Sequence, residues 1–398
     1  TKRLAQGNSM YIPVDDPRIQ RALSEGRNLP PGTDPVNGYV NFDYKGNVQA
    51  PESGAAVVMD AFNGDVLALA STPGFDPNSF SSGLNAADWE NLLSNPRSPM
   101  TNKAVSGQYS PGSTFKMIVC LAALEAGVAH QETKVNCSGM IEFGDSRFHC
   151  WKKDGHGWLN MIDAIEQSCD VYLYELAKRV GIKRIGEMAA RFGFGEAFNF
   201  GLPGENRGLI PTPAWKRKTF GQAWHAGETL ITSIGQGFIL CTPLQLAVMT
   251  SRLVNGGRPV LPRLMKNERA EIQKRKSLQL SPQHLHTVLK GMDKVVNGSQ
   301  GTARKVVDQS MKFQFGGKSG SVQVKRISLD ERESGKLKNK DRPWRERDHA
   351  MFVAFAPLKS PRYVVSVVVE HGGGGSTMAA PIARDILAEA LRLNPSKL

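Results

Sequence analysis

The sequence predicts an α+β fold in which segments from the two ends of the chain share one antiparallel sheet and helices fill the space between them. Two observations carry this. Apolar, strand-like runs open the ordered part of the chain at Ala55–Asp60 and Asp65–Ala70 and close it at His349–Ala356 and Tyr363–Glu370. Helical spacing instead marks Thr114–Ala126, Ile162–Val180 and Ala380–Leu393.

Taken in order, residues 1–49 are rich in Pro, Gly, Asn and Asp and read as a neck rather than a domain. Asp15–Leu23 reads as one short helix with an Asp cap, and Leu29–Pro35 as linker. The ordered domain then occupies 50–398. Asn63-Gly64 between the first two strands is a hairpin signal. Gly127 is expected to close the first helix and Gly181 the second. No internal repeat is present.

The chain has 398 residues, 40% hydrophobic and 22% charged, ordinary values for a globular protein. No apolar run is long enough to span a bilayer. Thr1-Lys2-Arg3-Leu4-Ala5 is neither a signal peptide nor a Met start, as in a processed or trimmed chain. The net charge of +13 suits either an anionic neighbour or solubility alone. No RNA-binding or zinc-finger signature points to nucleic acid. Lys338-Asn339-Lys340 lies among Glu331, Glu333 and Asp341 and reads as a solvated loop. Five cysteines, an odd number, argue against a fully paired disulfide framework. Cys120 and Cys241 sit in apolar stretches as small core residues.

Three short motifs carry the chemistry. In Ser113-Thr114-Phe115-Lys116, entered through Ser110-Pro111-Gly112, the serine falls at a helix N-terminus, where free N–H groups favour an oxyanion. Lys116 lies one turn on, on the same face, placed to act as the base a serine nucleophile needs. In Ser168-Cys169-Asp170 the serine can relay a proton between that lysine and a leaving group. In Lys318-Ser319-Gly320-Ser321 a strand offers a cation and a hydroxyl for a substrate carboxylate, with a glycine for close backbone approach. Each motif alone has a plain structural alternative: a helix cap, a second cap, and an edge strand blunted by lysine. Together, in this order, they match the serine-acyltransferase set of β-lactamases and penicillin-binding proteins. Asp170 replaces the usual amide, and Ser319 the usual threonine.

With these residues in hand the chain resembles the transpeptidase domain of class B penicillin-binding proteins, particularly the elongation-type (penicillin-binding protein 2) branch. The resemblance extends over Ala55–Asp60, Gly64–Ala68, Ser71–Asn78, Gly235-Gln236-Gly237, Thr242–Gln245, Pro343-Trp344, Asp348-His349-Ala350 and Glu370–Gly375. It implies an antiparallel sheet flanked by helices with a helical subdomain, and it makes residues 1–49 the remnant of an amino-terminal pedestal. It implies that Ser113 is acylated by a peptidoglycan stem peptide ending in D-Ala-D-Ala, that an acceptor amine then forms the cross-link, and that β-lactam antibiotics inactivate the enzyme. N–H groups of Ser113 and Ser321 would form the oxyanion hole. A D-Ala-D-Ala carboxypeptidase, a β-lactamase or a β-lactam sensor of the same fold would share the acylation step. The implied setting is the cell inner membrane, through a single-pass anchor upstream of this chain, with the catalytic domain in the periplasm. The implied partners are membrane proteins of the elongation machinery, including a glycosyltransferase.

The remaining cysteines crowd into one turn-rich stretch. Cys137, Cys150, His156 and Cys169 offer three thiolates and an imidazole, a set suited to tetrahedral zinc, with Asp145 and His149 as spare candidates. A Cys137–Cys150 disulfide or simple buried thiols would account for the same residues. The resemblance implies zinc here, matched at His156 and Cys169, with Cys137 and Cys150 standing roughly where the family's aspartates lie.

Overall fold

The computed structural model describes residues 53–81, 83–265, 277–307, 311–325, 339 and 342–394, together with two short strands, β1 (Met10–Pro13) and β2 (Tyr39–Phe42), which pair antiparallel. The expected Asp15–Leu23 helix, the Leu29–Pro35 linker and the loop around Lys338 and Lys340 lie outside the described residues.

The sheet joins both ends of the domain, as expected. β3 (Ser53–Asp60) and β4 (Val66–Thr72) form the hairpin turned by Asn63-Gly64; Gly64 takes a φ of 81°, and the Asn63 carboxamide accepts the Asp65 N–H at 2.8 Å. β9 (Gly316–Val322), β10 (His349–Ala356) and β11 (Tyr363–Glu370) complete one antiparallel sheet in the order β4-β3-β11-β10-β9. β3 is buried at every position, and β10 and β11 at all but one. Both faces are therefore covered, which is why these strands read as continuous apolar runs rather than alternating ones.

Helices supply the cover. α1 (Ala86–Ser94) is exposed. α2 (Lys116–Glu125) packs against α4 (Asp170–Arg191), which follows the short α3 (Met161–Glu166). α5 (Pro213–Phe220) and α6 (Ala226–Ser233) lead to α7 (Pro243–Val254), a helix buried along its whole length that packs on β3, β10 and β11. α8 (Pro282–Asn297) packs on α3 and β9, and α9 (Ala380–Leu393) on β10 and β11. Four short strands, β5 (Val135–Cys137), β6 (Met140–Phe143), β7 (Ser146–His149) and β8 (Gly157–Leu159), pair as β5-β8 and β6-β7. No helix among the described residues is long and apolar enough to cross a membrane.

Two expected helices need correction. The helix expected to begin at Thr114 begins at Lys116, because Gly112–Phe115 is wound into a tighter 3₁₀ turn. The single helix expected over Ile162–Val180 is two, α3 and α4, broken at Gln167–Cys169. At Gly181 the backbone leaves helical geometry with a φ of 77°, so the expected stop falls there, and a further helical stretch continues directly from it to Arg191.

Candidate active site

β9 is an edge strand, and the turn that carries Ser113 lies against it. Gly112 takes a φ of 55° and donates its N–H to Gly235 O at 2.9 Å; a Cβ on Gly235 would stand 2.1 Å from Gly112 O. The Thr114 hydroxyl donates to Pro111 O at 2.6 Å, and a Cβ on Gly320 would stand 3.2 Å from Pro111 O. Glycines on both sides thus let three backbones close around a half-buried Ser113. Tyr109, just upstream, exchanges two backbone hydrogen bonds of 2.8 Å with Cys241 and donates its hydroxyl to Glu370 at 2.8 Å. The turn is therefore tied to the end of β11.

The break between α3 and α4 positions Ser168. Its φ of 54° is left-handed, an uncommon conformation for a residue with a side chain, and it turns the hydroxyl toward α2. Cys169 then caps α4, its sulfur accepting the Tyr172 N–H at 3.4 Å. Lys116 is fully buried and spends its three protons on Ser168 O at 2.7 Å, Ser168 Oγ at 3.1 Å and Asp170 Oδ1 at 2.7 Å. Lys318, also fully buried, donates to Ser168 Oγ at 2.9 Å and Ser319 O at 3.1 Å. One hydroxyl therefore bridges two buried amines.

Burial, and then the neighbouring Lys116 charge, hold the Lys318 amine well below its ordinary pKa. Burial likewise raises Asp170, although the Lys116 ammonium opposes it. Asp170 is the countercharge of Lys116, and its second oxygen accepts the Trp151 N–H at 2.9 Å. Ser319 is 9% exposed and its hydroxyl lies 3.1 Å from that of Thr302. Ser321 faces outward on the same strand and its Oγ accepts the Gly375 N–H at 3.1 Å.

Ser113, Lys116, Ser168, Asp170, Lys318, Ser319, Gly320 and Ser321 are thus brought to one place. Trp151, Thr302, Tyr109 and Glu370 are the residues that sequence reasoning did not assign to the site. Trp151 also donates its indole N–H to the Gln167 and Ser168 carbonyls, both at 3.1 Å. Only the Glu370-His371 run carried any sequence signal, as part of the resemblance.

Behind Asp170 lies the cysteine cluster. The ligand atoms of Cys137, Cys150, His156 and Cys169 all fall within 4.8 Å of one another, a group formed by β5, the chain after β7, the β8 approach and the α4 cap. His156 Nδ1 is 3.5 Å from both the Cys137 and Cys150 sulfurs. All five cysteines are unpaired and buried, so no Cys137–Cys150 disulfide is present. A hydrogen bond from Cys169 lowers Cys137 to about 6 and Cys150 further, while Cys169 itself is raised by the same contacts. Burial disfavours the His156 imidazolium, yet the Cys150 and Cys137 sulfurs outweigh it and raise its pKa. Asp145 and His149 stand outside the cluster. The Asp170 N–H points at the Cys150 sulfur, 3.4 Å away, so the cluster abuts the Lys116 countercharge directly.

Residues 54–388 match the model of the penicillin-binding protein transpeptidase domain, and the chain belongs to that family. It is 35% identical over 370 residues to the peptidoglycan D,D-transpeptidase MrdA of Acinetobacter baumannii, an alignment covering 88% of this chain and 54% of that protein. The chain thus spans about half the length of this relative. Among solved structures it resembles PBP2 of Pseudomonas aeruginosa in complex with WCK 5153, at 37% identity and a TM-score of 0.77, over 87% of this chain and 76% of the other. It also resembles PBP2 in the complex of PBP2 and MreC from Helicobacter pylori, at 30% identity and a TM-score of 0.78, over 89% and 69% of the two chains.

Proposed function

We propose that this chain is the catalytic part of a peptidoglycan D,D-transpeptidase that cross-links stem peptides during cell elongation through an acyl-serine intermediate, and that β-lactams inactivate it at the same serine. The observation that carries the reading is the Ser168 hydroxyl held between Lys116 Nζ and Lys318 Nζ, at 3.1 and 2.9 Å, beside the Ser113 turn. In the proposed reaction Lys116 first hands one proton to Asp170, 2.7 Å away, and then takes the Ser113 proton while Ser113 Oγ adds to the carbonyl of the penultimate D-Ala. N–H groups of Ser113 and Ser321 receive the oxyanion. Collapse breaks the peptide C–N bond, and the leaving D-Ala nitrogen takes a proton from Ser168 Oγ, which Lys116 replenishes. An acceptor amine then adds to the acyl-enzyme, gives its proton back along the same path, and releases Ser113. Lys318 acts on the substrate carboxylate through Ser168 and the Ser319 segment rather than by direct exposure, since its amine is enclosed.

Zinc belongs to the same proposal. Bond lengths near 2.3 Å to sulfur and 2.0–2.1 Å to nitrogen place adjacent ligand atoms of a tetrahedral site roughly 3.6 Å apart. The 3.5 Å separations of His156 Nδ1 from two sulfurs fit that edge, and the lowered Cys137 and Cys150 thiols fit the charge. Cys137, Cys150, His156 and Cys169 would hold the ion, which would supply a structural clamp on the α3–α4 break and no chemistry. The proposed setting is the inner membrane with this domain in the periplasm. The proposed partners are elongation-machinery membrane proteins including a glycosyltransferase, a reading supported by the PBP2–MreC complex of Helicobacter pylori. Nascent peptidoglycan strands supplied with a glycosyltransferase test the activity: cross-linked dimers are expected, and peptides trimmed of D-Ala without cross-links would instead make the protein a carboxypeptidase.

A further inference from the structure

Between α8 and β9 runs a loop, Gly298–Ala303, that none of the three motifs includes, yet it touches the third and is fastened to the helix that leads into the second. On one side it is fastened to α3, the helix that leads to Ser168. Glu166, 4% exposed, accepts the Gln300 N–H at 3.0 Å on its side chain and the Thr302 N–H at 3.3 Å on its carbonyl. Lys294 holds the same carboxylate at 3.4 Å and Asp163 at 3.0 Å. On the other side Asn297 donates to Phe315 O at 3.0 Å, just before β9 begins. The loop fits tightly: a Cβ on Gly298 would stand 2.3 Å from Glu166 Oε1, and one on Gly301 2.4 Å from Lys294 O. Ala303 N–H closes it on Val295 O at 2.9 Å.

The result of this bracing is a single placed hydroxyl. Thr302 Oγ1 lies 3.1 Å from Ser319 Oγ on the edge strand β9. A serine hydroxyl has one proton and two acceptor sites, and alone it rotates to suit whatever is near. Thr302 has a branched side chain with restricted rotation, on a backbone pinned at residues 300, 302 and 303. When Thr302 donates to Ser319, the Ser319 proton is left to point at an incoming carboxylate. We infer that Thr302 is a positioning residue: it fixes the Ser319 hydroxyl as a donor and so sets the preference for acyl donors that carry a carboxylate beside the scissile bond. The inference rests on the acyltransferase reading and on Ser319 as its carboxylate contact.

The test compares acylation of Ser113 by benzylpenicillin with acylation by its methyl ester, which has the same ring but no carboxylate. Thr302→Val keeps the shape and removes the hydroxyl. It should slow benzylpenicillin about tenfold, the loss of one hydrogen bond to a charged group, and leave the slower ester reaction within about twofold of wild type by the same reasoning. Thr302→Ser should restore the benzylpenicillin rate, a rescue that a purely structural role would not give. Thr302→Ala repeats the comparison without the branched methyl and should behave as Thr302→Val does if that variant folds poorly. Unchanged benzylpenicillin acylation in both variants, or equal slowing of acid and ester, would overturn the inference. Wild-type protein that takes no penicillin on Ser113 would overturn the acyltransferase reading instead, so the two failures are separable.

Discussion

Replacing Lys116 with methionine removes the cation from the most enclosed ion pair of the site while keeping most of the side-chain volume. In the native protein Lys116 Nζ is 2.7 Å from Asp170 Oδ1, with the two side chains 0% and 11% exposed. Breaking a buried pair on one side costs about 3–5 kcal/mol, because the remaining charge is stranded. Asp170 has an escape, since burial already raises its pKa and Lys116 is the main opposing influence. A carboxyl whose folded pKa lies above its unfolded value binds a proton more readily when folded, so the folded state loses stability as pH rises through that interval and regains it as pH falls. Lys116→Met should therefore be most destabilised relative to wild type at pH 7 and recover at pH 5. The recovery has a ceiling of about 2.7 kcal/mol, two units at 1.36 kcal/mol each. Urea unfolding of both proteins at the two pH values measures this, and penicillin labelling at both checks that acylation is lost. A penalty equal at pH 7 and pH 5, or normal labelling, would refute the assignment of Asp170 as the countercharge of a catalytic Lys116.

Other outcomes follow from the same geometry. Ser168→Ala and Ser168→Gly should both lose acylation, but the glycine variant should be more stable than the alanine variant by about 1 kcal/mol, since only glycine takes the left-handed φ without strain; equal unfolding midpoints would contradict this. Tyr109→Phe should cost about 1.5–3 kcal/mol through the lost hydrogen bond to the Glu370 carboxylate, read as a lowered melting temperature. Protein purified without chelator should carry about one zinc per chain by elemental analysis. Cys150→Ser should lose the metal together with acylation, and metal-free wild type with full activity would end the zinc proposal.

The sheet was legible because its inner strands are buried on both faces and so consist of nearly unbroken apolar residues; the observed His349–Ala356, Tyr363–Glu370 and Ala380–Leu393 coincide with the segments read from the sequence. The residues that the structure brings together at the candidate site were equally legible, because each motif combines hydroxyl and amine side chains at one-turn or in-strand spacing. What the spacing could not reveal was direction. Apolar periodicity passes straight through Gln167–Cys169, and no local composition marks Ser168 as left-handed; that conformation is imposed by the Lys116, Lys318 and Trp151 contacts made to it. For the same reason Lys318, read as a cation offered to substrate, is enclosed, since its strand packs against α8 and the Ser113 turn and its amine reaches Ser168 at the α3–α4 break. Asp170, read only as a departure from the usual amide, is a lysine partner, a role visible only once the break brings it to 2.7 Å from Lys116. Thr302 carried no signal because its partner, Ser319, lies across a loop.

The most direct measurement of the central claim is mass spectrometry of the protein after incubation with benzylpenicillin, followed by peptide mapping. The account requires a single stable penicilloyl adduct on Ser113, absent from Ser113→Ala while that variant keeps its melting temperature. An adduct on any other residue, or an unmodified wild-type chain, would contradict it.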